Sequence, residues 1–181
     1  MTLKYDCIFI DRDGTVNYDP GYISNLKDFK FFDFSMSALN LLTSITNKFI
    51  VITNQSGISK GLIKENDLIE INNYIIDECA NNNIPLLKIY YCIDHPDRAS
   101  DRRKPGVGMF LEASEEFNLD LSNCLMIGDS ISDIQPANNL GMESMLVLTG
   151  NGKNHQNRFS KNNAPNYYTD NILTGAKLLV E

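Results

Sequence analysis

The 181-residue sequence lacks the features that mark several large classes of protein. No apolar run approaches about 18 residues, the length that a membrane-spanning helix needs, so we expect no membrane span. The stretch from Met1 to Asp6 has no long apolar segment of the kind found in signal peptides, which favours a cytoplasmic location. Lysine and arginine number 16 against 23 acidic residues. The net charge of −7 argues against nucleic acid as the main partner.

Cysteine and histidine are both scarce. The cysteines fall in or beside predicted core elements, which favours reduced cytosolic thiols over a disulfide framework (Cys7, Cys79, Cys92 and Cys124). The two histidines, His95 and His155, fall in predicted loops, where a single histidine is more often incidental than a ligand. Internal repeats and low-complexity linkers are absent as well. The length therefore predicts one domain, residues 1–181, with a sizeable core.

Apolar runs of strand length alternate with helical patterns along the whole chain. Strands are predicted at residues 7–10, 49–54, 86–92, 124–129 and 145–148. Helices are predicted at residues 34–47, 64–82, 105–118, 130–140 and 170–180, the third of them with Pro105 at its first position. Residues 150–165 are predicted to form a polar loop. This alternation predicts an α/β fold with three layers, in which a doubly wound, mainly parallel sheet lies between helices.

The stretch from Cys7 to Thr15 is the most informative in the chain. An apolar run leads directly into Asp11 and Asp13, whose side chains can emerge on the same side of a strand end. Gly14 then permits a sharp turn. Two carboxylates so close repel each other unless a cation lies between them or one is protonated. The pair therefore indicates a metal site, a nucleophile with its acid partner, or both, whereas an Asp-Gly turn alone would indicate only a loop.

Polar residues follow two further strands of the predicted sheet, at Thr53 and at Asp129. The carboxyl ends of parallel strands share one rim, where ligands gather. Phosphoryl transfer needs this kind of acid cluster with a cation, and we predict Mg²⁺ at Asp11, Asp13 and Asp129, together with a backbone carbonyl. Asp11 would attack phosphorus, and Asp13 would protonate the leaving oxygen and later activate water. Thr53 and Lys104 would bind the phosphate oxygens.

Several of these residues have a structural alternative. Thr53 and Ser56 could simply end a strand and support a turn. The run Arg102–Lys104 could be a solvated charge cluster. Asp133 could cap the helix that begins near Ser130 instead of binding metal.

Four motifs in order carry a resemblance to a known superfamily. They are Asp11–Thr15, Thr53–Gly57, Arg103–Pro105 and Gly128–Asp133. Together they resemble the haloacid dehalogenase superfamily of aspartate-nucleophile phosphatases. The stretches Asp13–Asn17, Asp19–Tyr22 and Thr53–Ile58 are similar to one family within it, the heptose bisphosphate and histidinol-phosphate phosphatases.

The resemblance implies a Mg²⁺-dependent phosphatase that acts through an aspartyl-phosphate and has no large cap domain. A small flap at about residues 16–33 and a loop at about residues 93–104 would cover the site, and so small a flap favours a monomer. The implied reaction converts D-glycero-D-manno-heptose 1,7-bisphosphate to the 1-phosphate in surface polysaccharide synthesis. Histidinol phosphate or a broad range of small phosphate esters is the alternative. The residues expected to contact substrate are Asp19, Pro20, Gly21, Tyr22, Asn54, Gln55, Ser56, Arg103 and Ser130. A non-catalytic phosphosugar-binding protein is less favoured, because the acidic motif residues and Lys104 are intact.

The sequence departs from that family in the loop before Arg103. Relatives commonly carry a zinc site there with Cys-x-His and Cys-x-Cys ligands, whereas this chain has Cys92, Asp94, Ser100 and Arg102. Structural zinc is held almost entirely by thiolates and imidazoles, so we expect no zinc. Charge pairs within the loop are expected to replace it, formed by Asp94, Asp97 and Asp101 with Arg98, Arg102 and Arg103.

Overall fold

A parallel sheet of six strands forms the centre of the structure, a computed structural model that describes residues 3–181. The strands are β1 (Cys7–Ile10), β2 (Phe49–Asn54), β3 (Leu86–Cys92), β4 (Cys124–Gly128), β5 (Glu143–Val147) and β6 (Tyr167–Thr169). They lie across the sheet in the order β3-β2-β1-β4-β5-β6. The strand order therefore reverses between β1 and β4, the place where doubly wound sheets bind ligands. The predicted α/β fold is confirmed.

The central strands are continuous apolar runs because both faces of the sheet are covered. Every residue of β1 and of β4 is buried. Phe9 of β1 lies beside Ile50 of β2 and Met126 of β4 in the parallel register. This pairing brings the carboxyl ends of the three strands to one rim.

Six α-helices are present within the described residues: α1 (Ser35–Leu42), α2 (Glu65–Asn81), α3 (Gly108–Phe117), α4 (Ile131–Asn139), α5 (Gly152–His155) and α6 (Ile172–Val180). Apolar residues of α1, α2 and α6 form one core with the sheet, and those of α3 and α4 form a second core on the opposite face. Phe110 of α3 packs edge to face on Phe9, with 5.3 Å between ring centroids. The sheet and the helices packed on its two faces form the three layers of the fold.

Three predicted elements differ in the structure. Helix α3 begins at Gly108 and not at Pro105, because the chain first turns through Gly106, where an added Cβ would collide with the Asp101 carbonyl. Helix α1 ends at Leu42, five residues earlier than predicted. The predicted polar loop contains α5, and the short edge strand β6 was missed, because three residues carry too little periodicity to be recognised.

Residues 16–33, predicted as a flap, leave the end of β1 and are anchored to the body of the protein. Asn17 forms isolated bridges with Asp13 and Phe31. Val16 and Ile23 are buried among apolar residues of the α1 face. The tip, around Gly21, is exposed. The boundaries of this flap and the single-domain organisation remain predictions.

The four cysteines are all buried and free of disulfide bonds. Within residues 3–181, no helix has both the length and the apolar character needed to cross a membrane.

Candidate active site

A cavity of about 310 Å³ opens at the carboxyl ends of β1, β2 and β4. Most of the predicted site residues line it, and they come from sequence positions more than 100 residues apart (Asp11, Asp13, Asp19, Gly21, Tyr22, Thr53, Asn54, Gln55, Ser56, Lys104, Asp129 and Ser130). Pro20 and Arg103, also predicted to contact substrate, are not among the lining residues. The cavity also includes residues that the sequence analysis did not assign to it, namely Gly57, Ser132, Asp133, Asn151 and His155.

Lys104 is the cation at the floor of the cavity, with 3% of its surface exposed. Its Nζ donates at 2.6 Å to each of three oxygens: Asp11 Oδ1, Asp133 Oδ1 and the Ile52 carbonyl. Burial alone would lower the pKa of Lys104, but the charges of Asp11 and Asp133 outweigh burial and raise it. The ammonium group therefore stays charged and fixes the orientation of Asp11.

Asn54 holds the backbone of Lys104 in place. Its Nδ2 donates to the Lys104 carbonyl at 2.9 Å, and its Oδ1 accepts from the Lys104 N–H at 3.1 Å. The amide side chain thus binds both backbone groups of one residue, which ties the end of β2 to the loop before α3. Asn54 was predicted to contact substrate, and the structure shows that its amide is used for this internal contact.

Three carboxylates at the rim approach closely enough to share a cation. Oxygen atoms of Asp11, Asp129 and Asp133 lie within 4.8 Å of one another, and all three residues are buried. Burial raises the pKa of Asp129 from 3.8 to about 7, as does the charge of Asp133, against a backbone hydrogen bond from Asn151. Burial also raises the pKa of Asp11, although Lys104 opposes it. Lys104 neutralises one of three buried negative charges, so this oxygen-rich group fits a hard divalent cation such as Mg²⁺.

Asp133 has two partners that explain its place in this group. Its Oδ1 accepts from Lys104, and its Oδ2 accepts from the N–H and the hydroxyl of Ser130, at 3.0 and 2.7 Å. The bond from the Ser130 N–H is one half of the capping box at the start of α4, and in the other half the Ser130 side chain accepts from the Asp133 backbone. The capping role considered for Asp133 is thus present, and Ser130, predicted to contact substrate, uses its hydroxyl in the cap.

The Asp13 side chain is directed elsewhere. Its carboxylate accepts four hydrogen bonds: two from Arg12, at 3.0 and 2.8 Å, one from Asn17 at 2.9 Å and one from Gln55 at 2.7 Å. Burial raises the pKa of Asp13, but the Arg12 charge and these hydrogen bonds outweigh it, and the pKa is lowered. Asp13 is therefore ionised in this arrangement. The Asp13 carboxylate does not belong to the group formed by Asp11, Asp129 and Asp133. The position of its side chain therefore does not support the prediction that it binds the metal.

Gln55 connects Asp13 to Thr53. Its Nε2 donates to Asp13 Oδ2 and, at 3.0 Å, to Thr53 Oγ1. Both Gln55 and Thr53 are buried, with 4% and 1% of their surfaces exposed. Gln55, predicted as a substrate contact, thus donates hydrogen bonds to two predicted catalytic residues.

The other predicted contacts lie at the mouth of the cavity. Tyr22 OH accepts from Lys60 Nζ at 2.8 Å, and Asp19 Oδ1 accepts from the Gly21 N–H at 2.9 Å.

His155 also lines the cavity, although it was not predicted to do so. Its Nδ1 accepts from the Ile131 N–H at 3.3 Å. Burial and the Arg158 charge lower the pKa of His155. Nothing in the sequence around His155 distinguished it, because the surrounding loop lacks a motif.

The loop at residues 93–104 has side-chain hydrogen bonds at three of the four positions compared above with a zinc site: Asp94, Ser100 and Arg102. Asp94 Oδ2 accepts from the Ser100 N–H at 2.7 Å and from its hydroxyl at 2.5 Å. Arg102 forms a bidentate pair with Glu112 of α3, at 2.6 and 3.0 Å. Arg103 Nη1 donates to the Asp94 carbonyl at 3.2 Å.

The prediction that the acidic and basic residues of this loop pair with each other is therefore wrong. Among the described residues, Arg102 is the one arginine of the loop that pairs with a carboxylate, and its partner, Glu112, lies on helix α3 outside the loop. The reason is geometric: a short loop closed by Asp94 and Ser100 turns the Arg102 side chain outward, onto the neighbouring face of α3.

The raised pKa values predict an unusual pH dependence for metal-free protein. Asp129 binds a proton in the folded state up to about pH 7, whereas in the unfolded state it loses that proton near 3.8. Through Asp129 the folded state binds more protons across this window, so the contribution of Asp129 to the free energy of unfolding should fall as pH rises from about 4 to about 7. Urea unfolding of chelator-treated wild type and Asp129→Asn at several pH values measures this contribution as the difference between the two proteins. A difference that does not change with pH would contradict the assignment.

Comparisons with known proteins agree with this arrangement. Residues 101–174 match a family model described as HAD-hydrolase-like. The D-glycero-beta-D-manno-heptose-1,7-bisphosphate 7-phosphatase of Photorhabdus laumondii is 36% identical over 160 residues, which cover 84% of this chain and 85% of that protein. The D-glycero-alpha-D-manno-heptose-1,7-bisphosphate 7-phosphatase of Campylobacter jejuni is 35% identical over 146 residues, which cover 81% and 84%.

A solved structure extends the similarity to the whole chain. The D,D-heptose 1,7-bisphosphate phosphatase of B. bronchiseptica, a crystal structure complexed with magnesium and phosphate, superimposes with a TM-score of 0.87 at 27% identity. The match covers 97% of this chain and 98% of that one. The order of motifs, the acidic rim at the sheet reversal and these relatives lead to one assignment. This chain belongs to the heptose 1,7-bisphosphate 7-phosphatase family of the haloacid dehalogenase superfamily.

Proposed function

We propose that this protein removes the 7-phosphate from D-glycero-D-manno-heptose 1,7-bisphosphate and leaves the 1-phosphate. The observation that carries the proposal is Asp11, a buried carboxylate at a strand end that Lys104 orients beside an open cavity. The names of the relatives support the substrate. The relatives are named for both anomers, so the anomer is decided by experiment.

In the proposed reaction Asp11 attacks the phosphorus of the ester. The bond between phosphorus and the sugar oxygen breaks, and the leaving oxygen takes a proton from Asp13. Water then attacks the aspartyl-phosphate, gives its proton to Asp13 and releases inorganic phosphate with a free Asp11 carboxylate. Bound Mg²⁺, for which Asp11 and Asp129 are the proposed ligands, would screen the negative charge that otherwise keeps a carboxylate away from a phosphate.

Asp13 must change its contacts to act as the acid. Four hydrogen bonds and the charge of Arg12 favour its ionised form, so protonation requires some of them to be given up. Gln55, which donates to Asp13, lines the cavity beside it, so a phosphate group that enters the cavity would compete with Asp13 for this donor. In this proposal the substrate itself releases Asp13.

Lys104 has a narrower role than the one predicted from the sequence. An ammonium group has three donors, and all three are used by Asp11, Asp133 and Ile52. We therefore propose that Lys104 orients the nucleophile, and that a phosphate oxygen reaches it only by replacing one of these acceptors. Contact of substrate with Arg103 remains a prediction that the lining of the cavity does not support.

A substrate panel tests the proposed function. Phosphate release is measured for both heptose bisphosphate anomers, histidinol phosphate and an aryl phosphate, with Mg²⁺ and with chelator. We expect the highest kcat/KM for one heptose anomer and no release with chelator. A preference for histidinol phosphate would show that this ester, and not the heptose bisphosphate, is the substrate. Equal rates on all esters would indicate a broad phosphatase, and no release from any of them would indicate a binding protein.

We also propose that the protein is a cytoplasmic monomer that acts in the synthesis of lipopolysaccharide or capsule. Four buried free thiols support a reducing compartment. Size-exclusion chromatography with light scattering tests the monomer, since a dimer would double the measured mass.

Structural zinc is not expected in this member of the family. Of the four candidate ligands, Asp94 is already bonded to Ser100, and Arg102 is a cation that pairs with Glu112. Cys92 is the single thiolate available, and tetrahedral zinc sites are built from several thiolates or imidazoles. Elemental analysis of protein purified without chelator is expected to find no stoichiometric zinc. Near-stoichiometric zinc that is lost in Cys92→Ala would contradict this proposal.

A further inference from the structure

The loop that follows β5 reaches back to the acidic rim. The Asn151 N–H donates to Asp129 Oδ2 at 2.7 Å, and the Asn151 side chain lies 3.5 Å from the same oxygen. Asp129 Oδ1 accepts no hydrogen bond from any described residue. The two oxygens of this carboxylate are therefore unequal, because one is bound by the protein and the other is left for a different partner.

Two glycines enclose the oxygen that Asn151 binds. A Cβ built on Gly14 or on Gly150 would lie less than 3.0 Å from Asp129 Oδ2, a separation that real Cβ atoms do not show. Gly150 has φ +50°, a backbone conformation that L side chains rarely adopt. Two backbone segments thus pack directly against one carboxylate oxygen, with no side chain between them.

We infer that Gly150 and Asn151 position Asp129 for the metal ion. Rotation of the buried Asp129 carboxylate would break its hydrogen bond with the Asn151 N–H, which costs free energy because a buried charge needs its hydrogen-bond partners. The enclosing glycines leave little room for other orientations. Oδ2 is thereby held by the loop, and Oδ1 would be free to act as the metal ligand. This inference rests on the proposed Mg²⁺-dependent function, and it assigns to residues outside the four motifs a role in metal binding.

The structure offers a matched pair of glycine variants for the test. Gly150→Ala adds a methyl group against Asp129 Oδ2 at φ +50°. Gly141→Ala adds the same group at φ +71°, where nothing lies within 4 Å of the new Cβ. Both variants carry the strain of a left-handed backbone, and only the first disturbs the carboxylate. Thermal unfolding should show a loss of stability in both.

The measurement is Mg²⁺ binding to chelator-treated protein by titration calorimetry, with no substrate present. Support for a metal ligand contributes about 10- to 100-fold in affinity, so Gly150→Ala should bind Mg²⁺ at least about tenfold more weakly. Gly141→Ala should match the wild type. Asn151→Pro provides a second variant without the N–H donor, at a residue whose φ of −86° is near that of proline, and it should also bind weakly.

The outcomes separate the inference from the function on which it rests. Wild-type affinity in Gly150→Ala and in Asn151→Pro would overturn the inference and leave the proposed function intact. Equal weakening in Gly150→Ala and Gly141→Ala would overturn it too, because backbone strain alone would explain the loss. Absence of Mg²⁺ binding by the wild type would overturn the proposed function and the inference together.

Discussion

Replacing Asp11 with asparagine is expected to abolish phosphate release while the protein stays folded. The amide has nearly the shape of the carboxylate but is a poor nucleophile at phosphorus, so kcat should fall by at least about a thousandfold. The fold should survive because Lys104, which donates to Asp11, keeps Asp133 and the Ile52 carbonyl as acceptors. Steady-state phosphate release and thermal unfolding of the same preparation measure the two effects.

Asp19→Asn is the control for this variant. It neutralises another carboxylate that lines the cavity, but one that has no contact with Lys104. Its turnover of a small aryl phosphate should remain close to wild type. Several per cent of wild-type activity in a folded Asp11→Asn protein would contradict a covalent intermediate on this residue.

Replacing Asp13 with asparagine is expected to lower kcat for the sugar phosphate by about 10²- to 10⁴-fold, the usual contribution of a general acid and base. The loss should be much smaller for an aryl phosphate with a good leaving group, because such a group departs without a proton. A series of aryl phosphates with different leaving-group pKa values measures this difference. A uniform loss across the series would contradict the role of Asp13 as the acid.

The same substitution should also reduce stability, which must be separated from the chemical effect. Arg12 has 1% of its surface exposed, and its guanidinium pairs with Asp13 at 2.8 Å. Removing one partner of a fully buried ion pair costs about 3–5 kcal/mol, which is an upper bound here because 19% of the Asp13 side chain is exposed. Kinetics are therefore measured well below the melting temperature of the variant, where the folded fraction of both proteins is complete.

The sheet was predictable because its strands are buried on both faces. Continuous apolar runs located β1, β2 and β3 at their observed bounds, and they located β4 within one residue. Strand β6 was missed, since Tyr167–Thr169 is short and lies at the sheet edge. The start of α3 was misplaced because a proline pattern identifies a helix start only where the chain does not turn first.

The sequence predicted which residues form the site, but it predicted only some of the contacts between them. Strand ends of a parallel sheet share one rim, so the placement of Asp11, Thr53 and Asp129 at one cavity followed from the strand pattern. The partners of Asn54 and Gln55 did not follow. A motif gives the type of a side chain and its position in the chain, but its hydrogen bonds depend on rotamers and on loops that arrive from elsewhere.

By itself, the sequence determined the fold class, the acidic rim and the family, because these depend on local hydrophobic pattern and on motif order. Only the tertiary structure decided that Lys104 is enclosed by carboxylates, that Asp13 is held ionised by Arg12, and that Asn151 completes the environment of Asp129. These contacts join positions up to 93 residues apart. Their physical basis is burial, which makes each charge depend on whichever partners the packed chain brings within hydrogen-bonding distance.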